Sequence, residues 1–478
     1  MTDLEFIDKV IEENRELYID LSAKIWSCAE LPYAEFNSSK LLWDRLEEEG
    51  FSIQKGVANI PTAFTATYGS GKPVVGFLGE YDALDILSQK AATPVKCPIK
   101  EGAPGHGCGH NALGVGSLAA AIATKEYLVA NKKEGTVIYF GCPAEEGAGS
   151  KQFMARDGLF DNVDFVYTWH PATINEVQSS RTVAIMGANF EFKGKTAHAG
   201  STPHLGRSAL DAAELMSVGV NYLREHMIDQ ARIHYAYVDA GGVSPNVVQD
   251  HSLIKYEVRA PKVKQVKELF ERVVNVAKGA ALMTDTTMNY EVNMAFSDYI
   301  TNEALATVAD ECLQEVGPPK WDDNDYKLAR EFLLSYDENT QSLIKETIID
   351  IYGEEQLNEI LEKPLDSIIH PYDSKNKEYV SGSTDVGDVT YVVPTLNFHI
   401  ATACVGNVGH TWQMTAQSLS SVANKGMLTA AKAMALSAVR TMDKPEIIQN
   451  AKEFVLKQNN GAYECPLPNS VKPPVGRY

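Results

Sequence analysis

The chain of 478 residues has few basic residues for its size, and they form no dense run. Its 43 lysines and arginines stand against 63 aspartates and glutamates, which gives a net charge of −20. A surface this acidic disfavours binding to nucleic acid and to anionic membranes. We therefore expect neither a nucleic acid nor a membrane as a partner.

Cysteines and long apolar runs are also scarce, and the amino-terminal sequence does not resemble a signal peptide. The seven cysteines are odd in number and scattered, which indicates reduced thiols rather than a disulfide framework. The amino-terminal sequence MTDLEFIDKVIEENRELY carries charges where a signal peptide has its apolar core. The apolar stretches fall short of the ~20 residues that a membrane helix requires. These absences predict a soluble, cytoplasmic protein.

The sequence does contain a regular alternation of short apolar runs and helical stretches. The runs PVVGFLG, TVIYFG and VDFVYTWHP have the length of buried strands, and helical stretches separate them. This alternation predicts an α/β fold with a mostly parallel sheet flanked by helices. Sites in such sheets form at the carboxyl ends of the strands.

The pattern changes near residue 182. From there to about residue 297 it runs strand, helix, strand, strand, helix, strand, which is the order of a ferredoxin-like α+β fold. We therefore predict a catalytic domain formed by residues 1–182 and 298–478 and an inserted domain formed by residues 183–297. We expect hinges near residues 182 and 297. Helices resume after the insertion, with an acidic helical stretch at 322–368.

The segment GAPGHGCGHNALG places His106, Cys108 and His110 at every second position. In an extended backbone residues i and i+2 point the same way, so Cys108 and His110 can reach one point, and Asn111 can then cap a helix. Thiolate and imidazole are suitable ligands for a zinc-like ion. A buried cysteine beside a structural histidine explains this pair at least as well. His106, without an evident partner, is predicted to be a loop histidine.

Two adjacent carboxylates follow the next predicted strand, in TVIYFGCPAEEGAG. The side chains of Glu145 and Glu146 cannot point at the same spot, so a catalytic pair here would divide the work. One carboxylate would bind a metal ion, and the other would act as a general base near the metal-bound water. Glu–Glu pairs are also common on exposed helices, and that interpretation stays open.

Two further histidines follow strand-like runs. His170 ends the run VDFVYTWHP, and His410 follows a glycine-rich turn in TLNFHIATACVGNVGHTWQM. Either histidine alone fits an ordinary packed imidazole. Together with Cys108, His110 and Glu146, they supply the ligand types and the number of ligands for two metal ions about 3.5–4 Å apart.

Three other polar residues stand in similar positions. The sequence FLGEYDAL places Glu80 and Asp82 on one side of a strand end, where Asp82 can hold the ring N–H of a metal-binding histidine. A cap or turn role for Asp82 is the alternative. In the inserted segment, His198 lies in a polar loop between strand and helix, where it can stabilise an oxyanion. A solvent-exposed loop histidine explains its surroundings at least as well.

The motifs as an ordered set resemble one known superfamily. They are GEYDAL, GAPGHGCGHNALG, PAEEG, TWHPA, GKTAHAG, SPNVV, GSTDVGDV and GHTWQMTAQS, and they span nearly the whole chain. They resemble the dinuclear metallopeptidases and amidohydrolases that include carboxypeptidase G, aminoacylase and hippurate hydrolase. This resemblance implies a zinc-peptidase-like catalytic domain, an inserted dimerisation or lid domain, and two divalent metal ions, zinc or manganese. It also implies a small amide substrate, such as an N-acyl or N-aroyl amino acid or a dipeptide.

The resemblance further implies roles for single residues. It makes five side chains the metal ligands: Cys108, His110, Glu146, His170 and His410.

The remaining implied roles concern the reaction itself. Glu145 is implied as the general base, and Asp82 as the group that orients a ligand. Because relatives dimerise through the inserted domain, His198 is implied as the oxyanion stabiliser that reaches the site from the other copy of a homodimer. Asn246 and Arg259 are implied as contacts to the substrate carboxylate or to the oxyanion.

The sequence departs from the family pattern at one site position. Many relatives have His-x-Asp where this chain has Glu80, Tyr81 and Asp82, so we expect Cys108 to substitute for the missing histidine. Three rival functions stay open. They are a sibling dipeptidase or aminoacylase of different specificity, a subunit that works only with an unlike partner, and a redox-sensing Cys–His site.

Overall fold

The computed structural model describes residues 1–376, 378–380 and 382–476. The strands are β1 (Ser52–Lys55), β2 (Phe64–Ser70), β3 (Val74–Gly79), β4 (Gly135–Gly141), β5 (Phe165–Ala172), β6 (Glu176–Val177), β7 (Arg181–Thr182), β8 (Ala184–Lys193), β9 (Arg232–Asp239), β10 (His251–Ala260), β11 (Thr287–Phe296), β12 (Tyr379–Val380) and β13 (Thr395–Ala401). The α-helices are α1 (Asp3–Glu13), α2 (Arg15–Cys28), α3 (Phe36–Glu48), α4 (His110–Asn131), α5 (Lys151–Arg156), α6 (Ala209–Leu223), α7 (Val263–Thr284), α8 (Glu303–Val316), α9 (Asp323–Leu334), α10 (Glu338–Tyr352), α11 (Leu357–Glu362), α12 (Val386–Thr390), α13 (Trp412–Gln417), α14 (Ser421–Met442) and α15 (Pro445–Gln458).

The larger sheet carries the strand ends on which a site was predicted. Within the described residues it has seven strands in the order β1-β2-β4-β3-β5-β13-β6. The central strands β4, β3, β5 and β13 pair in parallel, as predicted. The strands at both edges pair antiparallel, which makes the whole sheet mixed. Only a short loop joins β1 to β2, and antiparallel pairing is the arrangement that such a short connection allows.

Helices α4 and α14 cover one face of the larger sheet and contact each other. Both helices are rich in small residues, and most of their residues are buried. One α-helix of the described residues, α4, has the length and the apolar composition to cross a membrane. The prediction that the apolar stretches are too short was therefore wrong for α4. Since 89% of its apolar window is buried within the fold, α4 also fits a core helix, which passes the same test.

The segment between β8 and β11 has the predicted order of strands and helices: β8, α6, β9, β10, α7 and β11. Its four strands form an antiparallel sheet in the order β11-β8-β10-β9, so the ferredoxin-like pattern is confirmed. Along β10, buried and half-buried residues alternate, because one face of the strand packs against α6 and α7. The boundaries at residues 183 and 297 stay a prediction.

The acidic stretch at 322–368 folds into α9, α10 and α11. Its apolar side chains form two small buried clusters with residues of the loop that follows β13. The stretch is therefore attached directly to the loop that carries His410.

Candidate metal centre

The predicted site residues gather at the carboxyl ends of the central parallel strands. Glu80 directly follows β3, and Glu145 and Glu146 follow β4. His170 lies near the end of β5, and His410 lies on the loop after β13. This is the edge at which parallel sheets commonly bind ligands.

Cys108 and His110 reach the site from the start of α4. The helix begins at His110, and Gly109 precedes it in the left-handed conformation, with a φ of 83°. The prediction that Asn111 caps the helix was therefore wrong: Asn111 lies inside the first turn and donates to a serine hydroxyl and to a backbone carbonyl. The backbone bends between Cys108 and His110 instead of running straight, and their side chains still converge.

His106 takes no part in this convergence. It is buried, with its Nε2 3.1 Å from the carbonyl oxygen of Ile25. Burial and the nearby His110 lower the pKa of His106 to about 3, so its ring is neutral. His106 lies in a loop, as predicted, but it is buried and has a partner, which the residues around it did not indicate.

Three groups of side chains come close enough to hold an ion, and within each group the candidate ligand atoms lie within 4.8 Å of one another. The groups are Cys108, His110 and His170; Cys108, Glu146 and His410; and Glu80, His110 and Glu145. The structure thus brings all five predicted ligands together, and Cys108 belongs to two groups. It also adds Glu80, for which the sequence suggested no role.

Asp82 lies behind His110, as expected from the spacing. Its Oδ1 is 2.9 Å from His110 Nδ1, and its Oδ2 accepts the backbone N–H of Glu146 at 2.8 Å. His110 therefore turns its other nitrogen, Nε2, towards Glu80, whose Oε2 is 3.3 Å away. One buried carboxylate thus aligns a histidine ring and the backbone of a neighbouring strand end.

Three buried polar atoms of the cluster make ion-pair contacts of 3.2–3.3 Å but no well-aligned hydrogen bond among the described residues. They are Glu80 Oε2, His110 Nε2 and Glu146 Oε1. A buried polar atom without a good hydrogen bond costs about 1–3 kcal/mol, so a convergent set of them is typical of a site that binds a ligand. Thiolate, imidazole and carboxylate together suit zinc or manganese. The residues present therefore fit divalent metal ions.

The two adjacent carboxylates have opposite proton affinities. Burial, together with the charges of Glu80 and Glu146, raises the pKa of Glu145 well above its usual value. Burial also acts to raise the pKa of Glu146, but His410 and His110 outweigh it and lower this pKa to about 2. The His410 Nε2 lies 3.2 Å from Glu146 Oε1. One carboxylate therefore stays charged, while its neighbour readily takes up a proton.

The thiol of Cys108 is not activated by its surroundings. Burial and the charge of Glu146 raise its pKa, and its Sγ lies 3.4 Å from His170 Nε2. A redox-sensing thiol needs a lowered pKa and access to solvent. These surroundings disfavour the redox-sensing alternative, whereas a bound cation would itself deprotonate the thiol.

Glu35, which the sequence did not single out, supports the turn that carries the paired carboxylates. Its Oε1 accepts the backbone N–H groups of Ala144 at 2.8 Å and Tyr33 at 2.9 Å, and the Thr62 hydroxyl donates to Oε2 at 2.9 Å. Ala144 has a φ of 62°, a left-handed conformation that is rare outside glycine. Burial and the charge of Asp82 raise the pKa of Glu35 to about 8.

Lys151 is a second residue that the sequence did not reveal. Its fully buried ammonium donates to Glu80 Oε1 at 2.7 Å and to Asp385 Oδ1 at 2.5 Å. Burial acts to raise the pKa of Glu80, but Lys151 and His110 outweigh it and lower this pKa. The motif GSTDVGDV, which contains Asp385, was the available signal.

A cavity of about 810 Å³ opens onto the cluster, between the larger sheet and the inserted segment. From β10, Lys255, Glu257 and Arg259 line it. Its volume suits a small organic ligand. Arg259 thus lies where a substrate contact was expected.

His198 and Asn246 lie outside this cavity. Both are exposed, and their loops are neighbours, since the N–H of Ala199 donates to the carbonyl oxygen of Asn246 at 2.9 Å. The Nδ1 of His198 accepts the N–H groups of Gly200 at 3.1 Å and Ser201 at 3.2 Å. In the neutral ring, the proton therefore lies on Nε2, which can donate. The chain does not bring these two predicted residues to its own cluster.

Comparisons with known proteins agree with this architecture. Residues 76–396 match the peptidase family M20/M25/M40. The chain is 41% identical over 472 residues to a subunit of the p-aminobenzoyl-glutamate hydrolase of Escherichia coli K12, with 98% of each chain covered. It is 29% identical over 463 residues to the Xaa-Arg dipeptidase of Mus musculus, which covers 94% of this chain and 91% of that protein.

A solved structure shares the fold. It is that of a dinuclear metal-binding peptidase of the M20 family from Bacillus subtilis, with a TM-score of 0.57 and 17% sequence identity. The match covers 90% of this chain and 99% of that one. At this identity the likeness shows the fold alone.

Proposed function

Because this chain belongs to the peptidase family M20/M25/M40, we propose that it hydrolyses an N-acyl or N-aroyl amino acid at a dinuclear metal centre. The two relatives compared above are, by their names, hydrolases of amide bonds. One observation carries the dinuclear assignment. Cys108 belongs both to a group with His110 and His170 and to a group with Glu146 and His410. A thiolate common to two groups suits two neighbouring ions, which when bound acidify water and polarise a carbonyl.

Glu145 is the proposed general base. It is half-buried, borders the cavity and carries a raised pKa. A carboxylate with this pKa can take a proton from the attacking water and return it to the leaving nitrogen. Glu146, whose pKa is lowered to about 2, stays negative and serves as a ligand. The division of labour between the two residues thus follows from their different neighbours.

His198 is proposed to complete the site of a second copy of the chain. It lies outside its own cavity, and its Nε2–H is available to stabilise an oxyanion. The edge strand β9 exposes Tyr235, Tyr237 and Val238, and an open strand edge can pair with another copy. A homodimer formed through the inserted domain would bring the partner subunit's His198 to the cluster, with Asn246 beside it.

The substrate class rests on the cavity and on the relatives' names. Arg259 supplies positive charge in the cavity of a chain with a net charge of −20, and it suits a substrate carboxylate. The bacterial relative is named for aminobenzoyl-glutamate, so an N-aroyl glutamate is the proposed substrate. The mammalian relative's name favours a dipeptide as the alternative. The word "subunit" in the bacterial name supports a further candidate, activity that requires an unlike partner.

Two further parts of the proposal are the identity of the metal and the location. Thiolate favours zinc, whereas imidazole and carboxylate also accept manganese, so both metals are candidates. All seven cysteines are free, which is typical of a reducing, cytoplasmic location.

The test combines metal content with turnover. We expect wild-type protein to bind about two ions per chain and to cleave aminobenzoyl-glutamate faster than β-alanyl dipeptides or N-acetyl amino acids. Glu145→Gln should keep both ions and lose about 10²–10⁴-fold in kcat. The exposed Glu101→Gln is the matched control and should behave as wild type.

Each other outcome points elsewhere. Failure to bind metal under metal-replete conditions would refute the ligand assignment. Metal binding without any turnover until a second protein is added would favour the partner-dependent alternative. A preference for dipeptides would leave the metal centre in place and reassign the substrate.

A further inference from the structure

The acidic helical stretch at 322–368 has no part in the chemistry proposed above, yet it packs against the segment that carries His410. We call residues 404–411 the His410 loop. Val405 of this loop lies in one buried cluster with Leu333, Tyr336 and Ile344. Its backbone N–H also donates to the carbonyl oxygen of Pro364 at 2.9 Å. The stretch therefore contacts the loop through side chains and through the backbone.

The hydroxyl of Tyr336 makes the polar link between the two segments. It donates to Asn407 Oδ1 at 2.8 Å and accepts the backbone N–H of Val408 at 3.1 Å. Both partners lie within three positions of His410. One hydroxyl therefore fixes a side chain and the backbone immediately before the candidate ligand.

The contact at Gly406 is tight. This residue has a φ of 75°, and a Cβ atom there would lie 2.6 Å from Ile344 Cγ2. Such a separation is shorter than real Cβ contacts allow, so α10 and the loop backbone touch without room for a side chain. The His410 loop therefore packs closely against the helical stretch.

His410 itself needs support from outside its side chain. Its φ is 56°, a left-handed conformation that costs a non-glycine residue about 1–3 kcal/mol and persists only where the surroundings enforce it. Its imidazole is 56% exposed, so burial does not hold it. Its backbone N–H donates to the carbonyl oxygen of Gly107 at 2.9 Å, next to Cys108. The loop is thus anchored at one end to the cluster and at the other to the helical stretch.

We propose that residues 322–368 act as a brace that presents His410 to the metal centre, with Tyr336 as its positioning residue. This inference rests on the proposed function, because it takes His410 as a ligand. Loss of the Tyr336 hydroxyl leaves Asn407 Oδ1 with the Gln417 amide as its donor, frees the N–H of Val408 from the brace and lets the left-handed His410 relax. The group with Glu146 then weakens, while the group with His110 and His170 keeps its ligands.

Tyr336→Phe tests the brace, with Tyr326→Phe as the matched control. Tyr326 belongs to the same helical stretch, but its hydroxyl contacts Ser367 and not the His410 loop. Calorimetric titration of the metal-free proteins with Zn²⁺ and then with Mn²⁺ measures each binding step. We expect Tyr336→Phe to keep one step and to lose about 10–100-fold in affinity at the other, as for residues that orient metal ligands. Excess metal should restore its kcat while KM for the substrate stays constant.

The control and a second variant decide the remaining cases. Tyr326→Phe should bind both ions as wild type does. If Tyr336→Phe does not fold, Ile344→Leu removes the Cγ2 methyl group that lies beside Gly406 while it conserves the side-chain volume, and it should weaken the same step by a smaller factor. If Tyr336→Phe binds metal at both steps with the wild-type affinities, the brace is overturned. It is also overturned if Tyr336→Phe loses the same factor in affinity at both steps. If wild-type protein binds no metal at all, the proposed function fails first, whereas a failure confined to Tyr336→Phe refutes the brace alone.

Discussion

The strand ends of the larger sheet and the loops of the inserted domain contribute to one proposed reaction in contrasting ways. Glu80, Asp82 and His110 are at most 2% exposed and are joined by close polar contacts. His198 and Asn246 are exposed and lie outside the cavity. In the proposed function, one chain therefore supplies all the candidate metal ligands of its centre, whereas the oxyanion donor comes from a second copy.

The contrast has a physical cause. A thiol, three imidazoles and several carboxylates repel one another or lose hydration when they converge, so they need a rigid frame and buried partners such as Lys151. A group that stabilises charge on the substrate can instead arrive from another surface after the substrate has entered. The exposed loop of His198 suits the second task and the strand ends suit the first.

The largest effect is expected from loss of the Cys108 thiolate, which two of the candidate ligand groups share. Cys108→Ala removes a candidate ligand from two groups, so we expect both ions to bind at least about 100-fold more weakly and turnover to fall at least as far. Cys312→Ala is the control, because Cys312 is buried next to Arg440 and belongs to none of the three groups. A Cys108→Ala protein that keeps two ions would show that the thiol is not a ligand.

A smaller effect sharpens the role of the inserted domain. Arg259→Gln should raise KM by about 10–100-fold, which corresponds to losing one hydrogen bond to a charged group, while metal content stays constant. Arg272→Gln is the matched change on an exposed part of α7 and should alter nothing. Titration of the metal-free proteins with metal measures how many ions bind, and steady-state rates on one substrate give KM. An unchanged KM would remove Arg259 from the binding site.

The last prediction concerns the stability of the fold rather than catalysis. Its residue is Asp388, which joins the two regions. Its carboxylate accepts from Ser297 at 2.7 and 3.1 Å and from the Tyr463 hydroxyl at 2.9 Å. Burial raises its pKa from 3.8 to about 7. Between these values the folded chain holds more protons than the unfolded chain, so this group lowers stability as pH rises from about 4 to 7.

Asp388→Asn should therefore flatten that decline. The difference in unfolding free energy between pH 4 and pH 7 should shrink by up to about 4 kcal/mol, measured by urea unfolding. Asp20→Asn, on an exposed part of α2, serves as the control and should keep the wild-type slope. An Asp388→Asn protein whose slope equals that of wild type would show that Asp388 titrates normally.

Local patterns predicted what depends on local structure. The superfamily, the parallel centre of the sheet and the ferredoxin-like order are confirmed, because apolar runs and motif order are visible along the chain. The sequence also led to the convergence of Cys108 and His110, although it gave the wrong start for α4. The helix begins two residues earlier than an N-cap at Asn111 predicts, since Gly109 adopts a left-handed conformation that the motif alone did not indicate.

The residues that support the site could not be predicted in this way. Glu35 binds a backbone group 109 positions away, Lys151 pairs with a carboxylate 234 positions away, and Tyr336 contacts a side chain 71 positions away. No local pattern distinguishes such residues from ordinary surface or core residues. Their roles become visible only when the fold brings the partners together.

The most direct test of the contrast is to mix two inactive variants. Glu145→Gln lacks the proposed base, and His198→Ala lacks the proposed oxyanion donor, whose loss should cost about 10²-fold in kcat. If the partner subunit's His198 completes each site, a mixed dimer contains one site with both residues intact. An equal mixture should then recover about a quarter of wild-type activity after the chains exchange, because half of the dimers are mixed and each has one intact site. A mixture that stays inactive although mixed dimers form would contradict the account, and so would full activity of a monomer.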